Sequence, residues 1–237
     1  MQDTDTQLQN FLHKIDFQNT EINSSQMEII KSIQEIGTLG VKTLANLLYE
    51  HKMNQSISPL DGFIYEELLQ IQDKEIQNFL TDNFPSGLIP LQSEKSIDYS
   101  YLQKLLQNKN FLEADILTQK KLCELASVDL NTRNWLYFTD ISNLPVTDLK
   151  TIDTLWRIHS RNRFGFSIQQ QIWTNVQGNK DKLFQKIGWI VDNNLCRYPQ
   201  EFIWDLNAPK GHLPLFNQLR GTQALIYLLS HNAWQSL

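Results

Sequence analysis

The chain predicts an all-α fold in two parts: an N-terminal helical bundle or repeat-like domain, then an all-helical core. Three observations predict it. Apolar residues recur every three or four positions between capping residues and Gly or Pro stops, the period of amphipathic helices. The 237 residues are 41% hydrophobic and 20% charged, ordinary values for a chain that buries a core. Charge and aromatic content also change along the chain. Residues 1–132 carry 10 Lys and Arg against 19 Asp and Glu, while residues 133–237 carry 11 against 7 together with all six tryptophans. An acidic, tryptophan-free front therefore precedes a mildly basic, tryptophan-rich back, and an anionic, flat or apolar partner would prefer the back.

The elements follow in order. SSQMEIIKSIQEIG places Met27, Ile30 and Ile33 on one face, with Ser24 or Ser25 as N-cap and Gly37 as stop. VKTLANLLYEH repeats the pattern. SPLDGFIYEELLQI supplies Ser58 as cap and Pro59 at the first helical position, and KEIQNFLTDNF ends at Pro85. Two prolines and a glycine in PSGLIPLQSEKS mark a boundary. We expect a helical bundle over 1–84, a linker over 85–96 and a core domain over 97–237. The core opens with two helices about Asn108–Asn110, similar to one tetratricopeptide hairpin but without a repeat. Next, VTDLKTIDTLWRIHS sets Leu149, Ile152, Leu155 and Trp156 on one face. FSIQQQIWTNV offers a capping box from Ser167 to Gln170. The stretch from Gly188 to Pro214 has no helical period and is expected as an ordered loop, with a short hairpin as the alternative. A last helix is expected from Pro214 to Leu229.

Several chemistries are excluded or disfavoured. No apolar run approaches the roughly 20 residues that span a bilayer. MQDTDTQLQN has neither a signal-peptide core nor a transit-peptide composition, so the protein is expected to work in the compartment where it is made. Cys123 and Cys196 form no CxxC and are expected as packed thiols, and the five histidines show no metal-ligand spacing. Walker, GxGxxG, GxSxG and HExxH motifs are absent. Asp140, Asp148 and Asp153 are expected as caps or solvated surface. RNRFGF interleaves basic and aromatic residues, but a chain of net charge −5 argues against a nucleic-acid partner. Trp156, Trp173 and Trp189 are expected in the core.

HLPLFNQLRG differs in kind. On a helix starting at Pro214, Asn217, Arg220 and Gln223 would share one side, among the apolar Leu215, Phe216, Leu219, Ala224 and Leu225. An arginine in such surroundings needs a partner. Either it pairs with Asp205 or another internal carboxylate, or it awaits an anionic oxygen of a ligand beside an apolar wall.

Together FPSGLIPLQSEKSIDY, KLCELA, WLYFTDI, LKTIDTLWRIHSRNRFGFSIQQQIW, IGW and WDLNAPKGHLPLFNQLRG resemble the genomes-uncoupled-four family of porphyrin-binding accessory proteins of magnesium chelatase. The resemblance covers about residues 84–237, and the front is similar to the helical extension of cyanobacterial-type members. It implies an all-α, cupped core that binds protoporphyrin IX and magnesium protoporphyrin IX. It also implies stimulation of the chelatase of chlorophyll biosynthesis through its large porphyrin-binding subunit, with no catalysis and no catalytic cofactor. Asn217 and Arg220 match the family's polar pocket positions, with Leu215 as an apolar neighbour, and Tyr198, Phe202 and Trp204 match its mobile aromatic loop. Gln223 and Gln119 stand where relatives carry arginines, which implies weaker propionate binding and less salt sensitivity. No protein ligand to the porphyrin metal is expected; His212 is expected to pack or hydrogen-bond in its turn. We expect a monomer in the plastid stroma or a cyanobacterial cytoplasm, with peripheral membrane association left open. The rival readings are a ligand-free helical adaptor and a tetrapyrrole sensor that never meets the chelatase.

Overall fold

The computed structural model describes residues 2–18, 22–216 and 222–235. The chain divides into two compact units, Met1–Pro90 and Leu91–Leu237. Both are built of helices, as the sequence predicts; the only strands among the described residues are two of two residues each.

The first unit holds α1 (Gln2–Leu12), α2 (Ser24–Glu35), α3 (Thr38–Met53), α4 (Pro59–Leu69) and α5 (Lys74–Asn83). The leading helix α1, which the sequence reading did not identify, packs on α2 and buries Leu8. The cap of α2 is Asn23, one residue earlier than the two serines expected; its side chain accepts from Gln26 N. Gly40 lets α3 cross α2 closely, because a Cβ there would collide with the Ile33 carbonyl oxygen. Ser58 caps α4 in a capping box with Asp61. Leu60, Phe63, Ile64, Tyr65 and Leu68 are all buried, so α4 is the central helix of this unit. Asp61 is buried too, but Ser58 N, Ser58 Oγ and His51 Nδ1 hydrogen-bond its two oxygens.

The second unit holds α6 (Ser100–Gln107), α7 (Phe111–Leu125), α8 (Phe138–Ile141), α9 (Val146–His159), α10 (Phe166–Asn175) and α11 (Lys180–Lys186). A hairpin of β1 (Ile190–Val191) and β2 (Asn194–Leu195) follows, then α12 (Gln223–Leu229) and a 3-10 turn, Asn232–Trp234. α6 and α7 form the expected hairpin about Asn108–Asn110. Leu149, Ile152, Leu155 and Trp156 of α9 are fully buried. Trp156 stacks on Phe111 with ring centroids 5.9 Å apart, and its indole N–H donates to Thr118 Oγ1 of α7 at 3.0 Å.

The structure corrects several further expectations. Ser167 does not cap α10: Gly165, at φ +137°, starts that helix, and Asp153 of α9 accepts from Ser167 N at 2.8 Å and Ser167 Oγ at 2.6 Å. A side chain on a neighbouring helix thus supplies the cap. Second, neither Asp148 nor Asp153 is solvated surface: both are buried, and Asp153 takes the expected role of cap, from α9 onto α10. Asp148 accepts from Tyr99 Oη and Glu94 N, tying the start of the unit to α9, while Asp140 caps α8 and pairs with Arg133 at 2.7 Å. Third, the stretch after Gly188 does begin with a hairpin: Asp192 and Asn193, both at positive φ, make the two-residue turn of Ile190–Leu195. Fourth, the last helix starts at Gln223, not at Pro214. Trp173 is only half-buried, unlike Trp156 and Trp189, whereas both cysteines are buried free thiols.

Candidate functional site

Residues 211–215 form a strap held at nearly every backbone group. Gly211 N donates to Arg163 O at 2.7 Å, and Gly165 N donates to Leu213 O at 3.0 Å. The Gln169 side-chain amide of α10 donates to both Gly211 O (2.9 Å) and Pro214 O (2.8 Å). Trp189 Nε1 donates to His212 O at 2.8 Å. Finally, Leu215 N donates to Asp115 Oδ1 of α7 at 2.7 Å. The chain is not helical at 214–216, where the Pro214 carbonyl that a helix starting there would use is taken by Gln169 of α10. Gly211 is required by packing as well as by its φ of +79°, since a Cβ would meet Ile172 Cδ1 at 2.7 Å.

His212 is 1% exposed. Its Nδ1 donates to Ile187 O at 2.6 Å, and its Nε2 accepts from Ile203 N at 3.1 Å. Burial holds its pKa below the usual histidine value, which fixes the neutral ring. Both nitrogens are engaged, so His212 is a structural clamp between the strap and the loop before it.

That loop carries the predicted aromatics. Tyr198, Phe202 and Trp204 make one cluster, with centroids 6.4 Å apart for Tyr198–Phe202, 5.9 Å for Tyr198–Trp204 and 6.1 Å for Phe202–Trp204. Phe202 is buried against His212, and Trp204 Nε1 donates to Pro199 O at 2.9 Å. Tyr198 is left 37% exposed, presenting an aromatic face to solvent. Leu215 is buried. Gln119 lies one turn along α7 from Asp115, half-buried, with its amide 3.6 Å from Cys123 Sγ. Gln223 is exposed in the first turn of α12. Asn217 and Arg220 lie outside the described residues.

Sequence reasoning missed Asp115 and Gln169. Asp115 is 5% exposed, and among the described residues Leu215 N is its hydrogen-bond partner. Burial pushes its pKa up to about 8, against a small lowering by the Leu215 amide. Tyr198 is pushed up by burial and then by the charge of Asp115. The two side chains are therefore electrostatic neighbours, and Leu215 links Asp115 to the strap. The visible signal was an acidic residue on the α7 face that also carries Phe111, Thr118 and Leu122, but an isolated carboxyl in a helix is ordinarily solvated.

A raised carboxyl pKa has a defined linkage sign. The folded state holds the Asp115 proton up to about pH 8, whereas the unfolded chain releases it near the ordinary value of 3.8. Stability from this group is thus fully present below about pH 4, declines as pH rises and levels off above about 8, with a limiting slope of about 1.4 kcal/mol per unit. Asp115→Asn is expected to melt higher than wild type at pH 8 and to remove most of this slope. Melting temperatures measured from pH 5 to 8 for both proteins check it; parallel curves would mean that the carboxyl is ionised throughout.

Among the described residues, no three His, Cys, Asp or Glu side chains gather as a metal site, and no helix is long and apolar enough to cross a membrane. Fold and site together define a helical protein with an aromatic-faced site and a rigid strap leading into its polar segment. Two family models match: an ARM-like repeat domain, the GUN4 N-terminal domain, over residues 2–85, and the GUN4-like domain over residues 92–232. The chain belongs to the GUN4 family. The "Uncharacterized protein ycf53" of Pyropia yezoensis is 47% identical over 222 residues, 92% of this chain and 94% of that protein. The "Tetrapyrrole-binding protein, chloroplastic" of Arabidopsis thaliana is 37% identical over 150 residues, 60% of this chain and 57% of its own. The structure of GUN4 from Chlamydomonas reinhardtii superposes with a TM-score of 0.58 at 41% identity, covering 62% of this chain and 94% of that one. This is a protein of plastids or cyanobacteria, as its relatives are.

Proposed function

We propose that this protein binds tetrapyrroles, protoporphyrin IX and magnesium protoporphyrin IX, and delivers its effect by stimulating magnesium chelatase through the large porphyrin-binding subunit. The observation that carries the reading is the cluster of Tyr198, Phe202 and Trp204 beside the strap. An apolar disc with two propionates needs an aromatic face to replace water and a few donors for its carboxylates. The cluster supplies the first; Asn217, Arg220, Gln223 and Gln119 supply the second. Leu215 is the apolar contact between them. The chain has no catalytic role in this reading, and its ligand is cargo or signal rather than cofactor. His212, with both ring nitrogens engaged, leaves the porphyrin metal without a ligand from that side chain. The binding unit is the core domain, with residues 1–84 as the helical extension and 85–96 as linker; the protein acts as a monomer.

Titrating the purified protein with protoporphyrin IX tests this directly. Tryptophan emission is expected to quench saturably, and a protein lacking residues 1–85 is expected to bind with the same affinity, because the proposed site residues and all six tryptophans lie beyond that point. A ligand-free adaptor would show no quenching. A tetrapyrrole sensor would quench but leave magnesium insertion unchanged when added to the chelatase.

A further inference from the structure

Asp115 is a charge-bearing group that the function above does not use. It is enclosed at the junction of α7 and the strap, one residue from Phe216, after which the chain enters the segment carrying Asn217 and Arg220. We propose that Asp115 is the proton-controlled positioning residue of the tetrapyrrole site: with its proton it holds the strap and tolerates the ligand's anionic edge, and without it its buried charge opposes that edge. The inference rests on the tetrapyrrole reading.

The geometry makes the carboxyl a lever. Its partner among the described residues is a main-chain amide, not a cation, so ionisation places a negative charge in a dry place with no described cation bonded to it. Among the described residues, the charged groups on the elements around it do not relieve that charge. Lys104 of α6 and Glu113 and Lys120 of α7 itself are exposed. From the strap, His212 is engaged by Ile187 and Ile203. α9 meets α7 through Trp156 on Thr118. On the aromatic loop Arg197 is exposed, and Tyr198, which is neutral, feels the carboxyl. Burial places the titration near pH 8, where a small change in proton activity changes the charge. A propionate brought to this site meets a neutral acid below that pH and a buried carboxylate above it. Binding to the ionised form then takes up one proton from solvent, converting the Asp115 carboxylate to the acid.

Protoporphyrin IX is the probe, because its propionates remain ionised between about pH 6.5 and 9. If the protonated form binds, the wild-type dissociation constant rises about tenfold from pH 7 to 9. Asp115→Asn keeps an oxygen acceptor for Leu215 N but cannot ionise, and its affinity is expected to stay flat at the wild-type low-pH value. Wild-type calorimetry in two buffers of different ionisation enthalpy gives an independent reading. Uptake approaching one proton per porphyrin near pH 9, and almost none near 6.5, is expected. A flat wild-type profile without proton uptake overturns the proposal, as does an equal slope in Asp115→Asn, while porphyrin binding itself stands. No binding at any pH removes the tetrapyrrole reading and this inference with it.

Discussion

Arg220→Ala is expected to weaken protoporphyrin IX binding by about 10- to 150-fold with little change in melting temperature. A charge-assisted hydrogen bond to a desolvated propionate is worth roughly 1.5–3 kcal/mol, which sets that range. The competing assignment, a structural ion pair, forecasts the opposite: stranding a buried carboxylate destabilises by roughly 3–5 kcal/mol whatever happens to the ligand. The environment of Asp205 removes it as the partner of such a pair. Its carboxylate is exposed and already accepts from Asn207 N at 2.7 Å, so losing a cation would strand nothing. The buried carboxylates Asp148 and Asp153 are likewise occupied, by Tyr99 and Glu94 and by Ser167, which leaves Asp115, bonded to the Leu215 amide, as the buried carboxylate such a pair would need. The reverse change, Gln223→Arg, should tighten binding and steepen its salt dependence. Its cost is small: Gln223 is exposed, but it lies in the first turn of α12, where a cation opposes the helix dipole by a few tenths of a kcal/mol or about one at most. A melting curve and a porphyrin titration on Arg220→Ala decide the matter. An early-melting mutant whose folded fraction binds normally would remove Arg220 from the site.

How much of this could be read from the chain depends on the range of the interactions. The α6–α7 hairpin, the buried stripe of α9 and the Ser58 cap are local: period, turn and cap lie within a few residues, and each is legible. The aromatic loop was found through a family resemblance, because nothing in the spacing of Tyr198, Phe202 and Trp204 says that their rings meet. The misses around the strap are long-range. Asp115 reaches Leu215 across 100 residues, and Gln169 reaches Gly211 and Pro214 across 42 and 45. Those bonds override the helix-start signal of Pro214, and Asp153 overrides that of Ser167 in the same way. A sequence shows which polar groups need partners; only the folded chain shows which distant backbone groups they find.

The tryptophans separate core from ligand wall by a second large effect. Trp156→Ala is expected to destabilise the core unit by about 3–5 kcal/mol, the usual result of deleting a fully buried aromatic. That lowers its melting temperature by on the order of 10 °C or more. The cause is visible in the packing: the indole is 0% exposed, stacks on Phe111, meets Phe164 at 6.5 Å and bonds Thr118. Removing it opens a cavity between α7 and α9. Trp156→Phe should cost much less, because Thr118 Oγ1 still donates to Ala114 O and no buried hydroxyl is stranded. Trp173→Ala, at a half-buried position, should cost under about 1 kcal/mol. Trp156→Phe should also leave the protoporphyrin dissociation constant unchanged, since the indole sits against α7 and not in the Tyr198–Trp204 cluster. If it instead abolished binding while melting like wild type, Trp156 would be a wall of the ligand site, and the site would extend beneath α7 as well as over the loop.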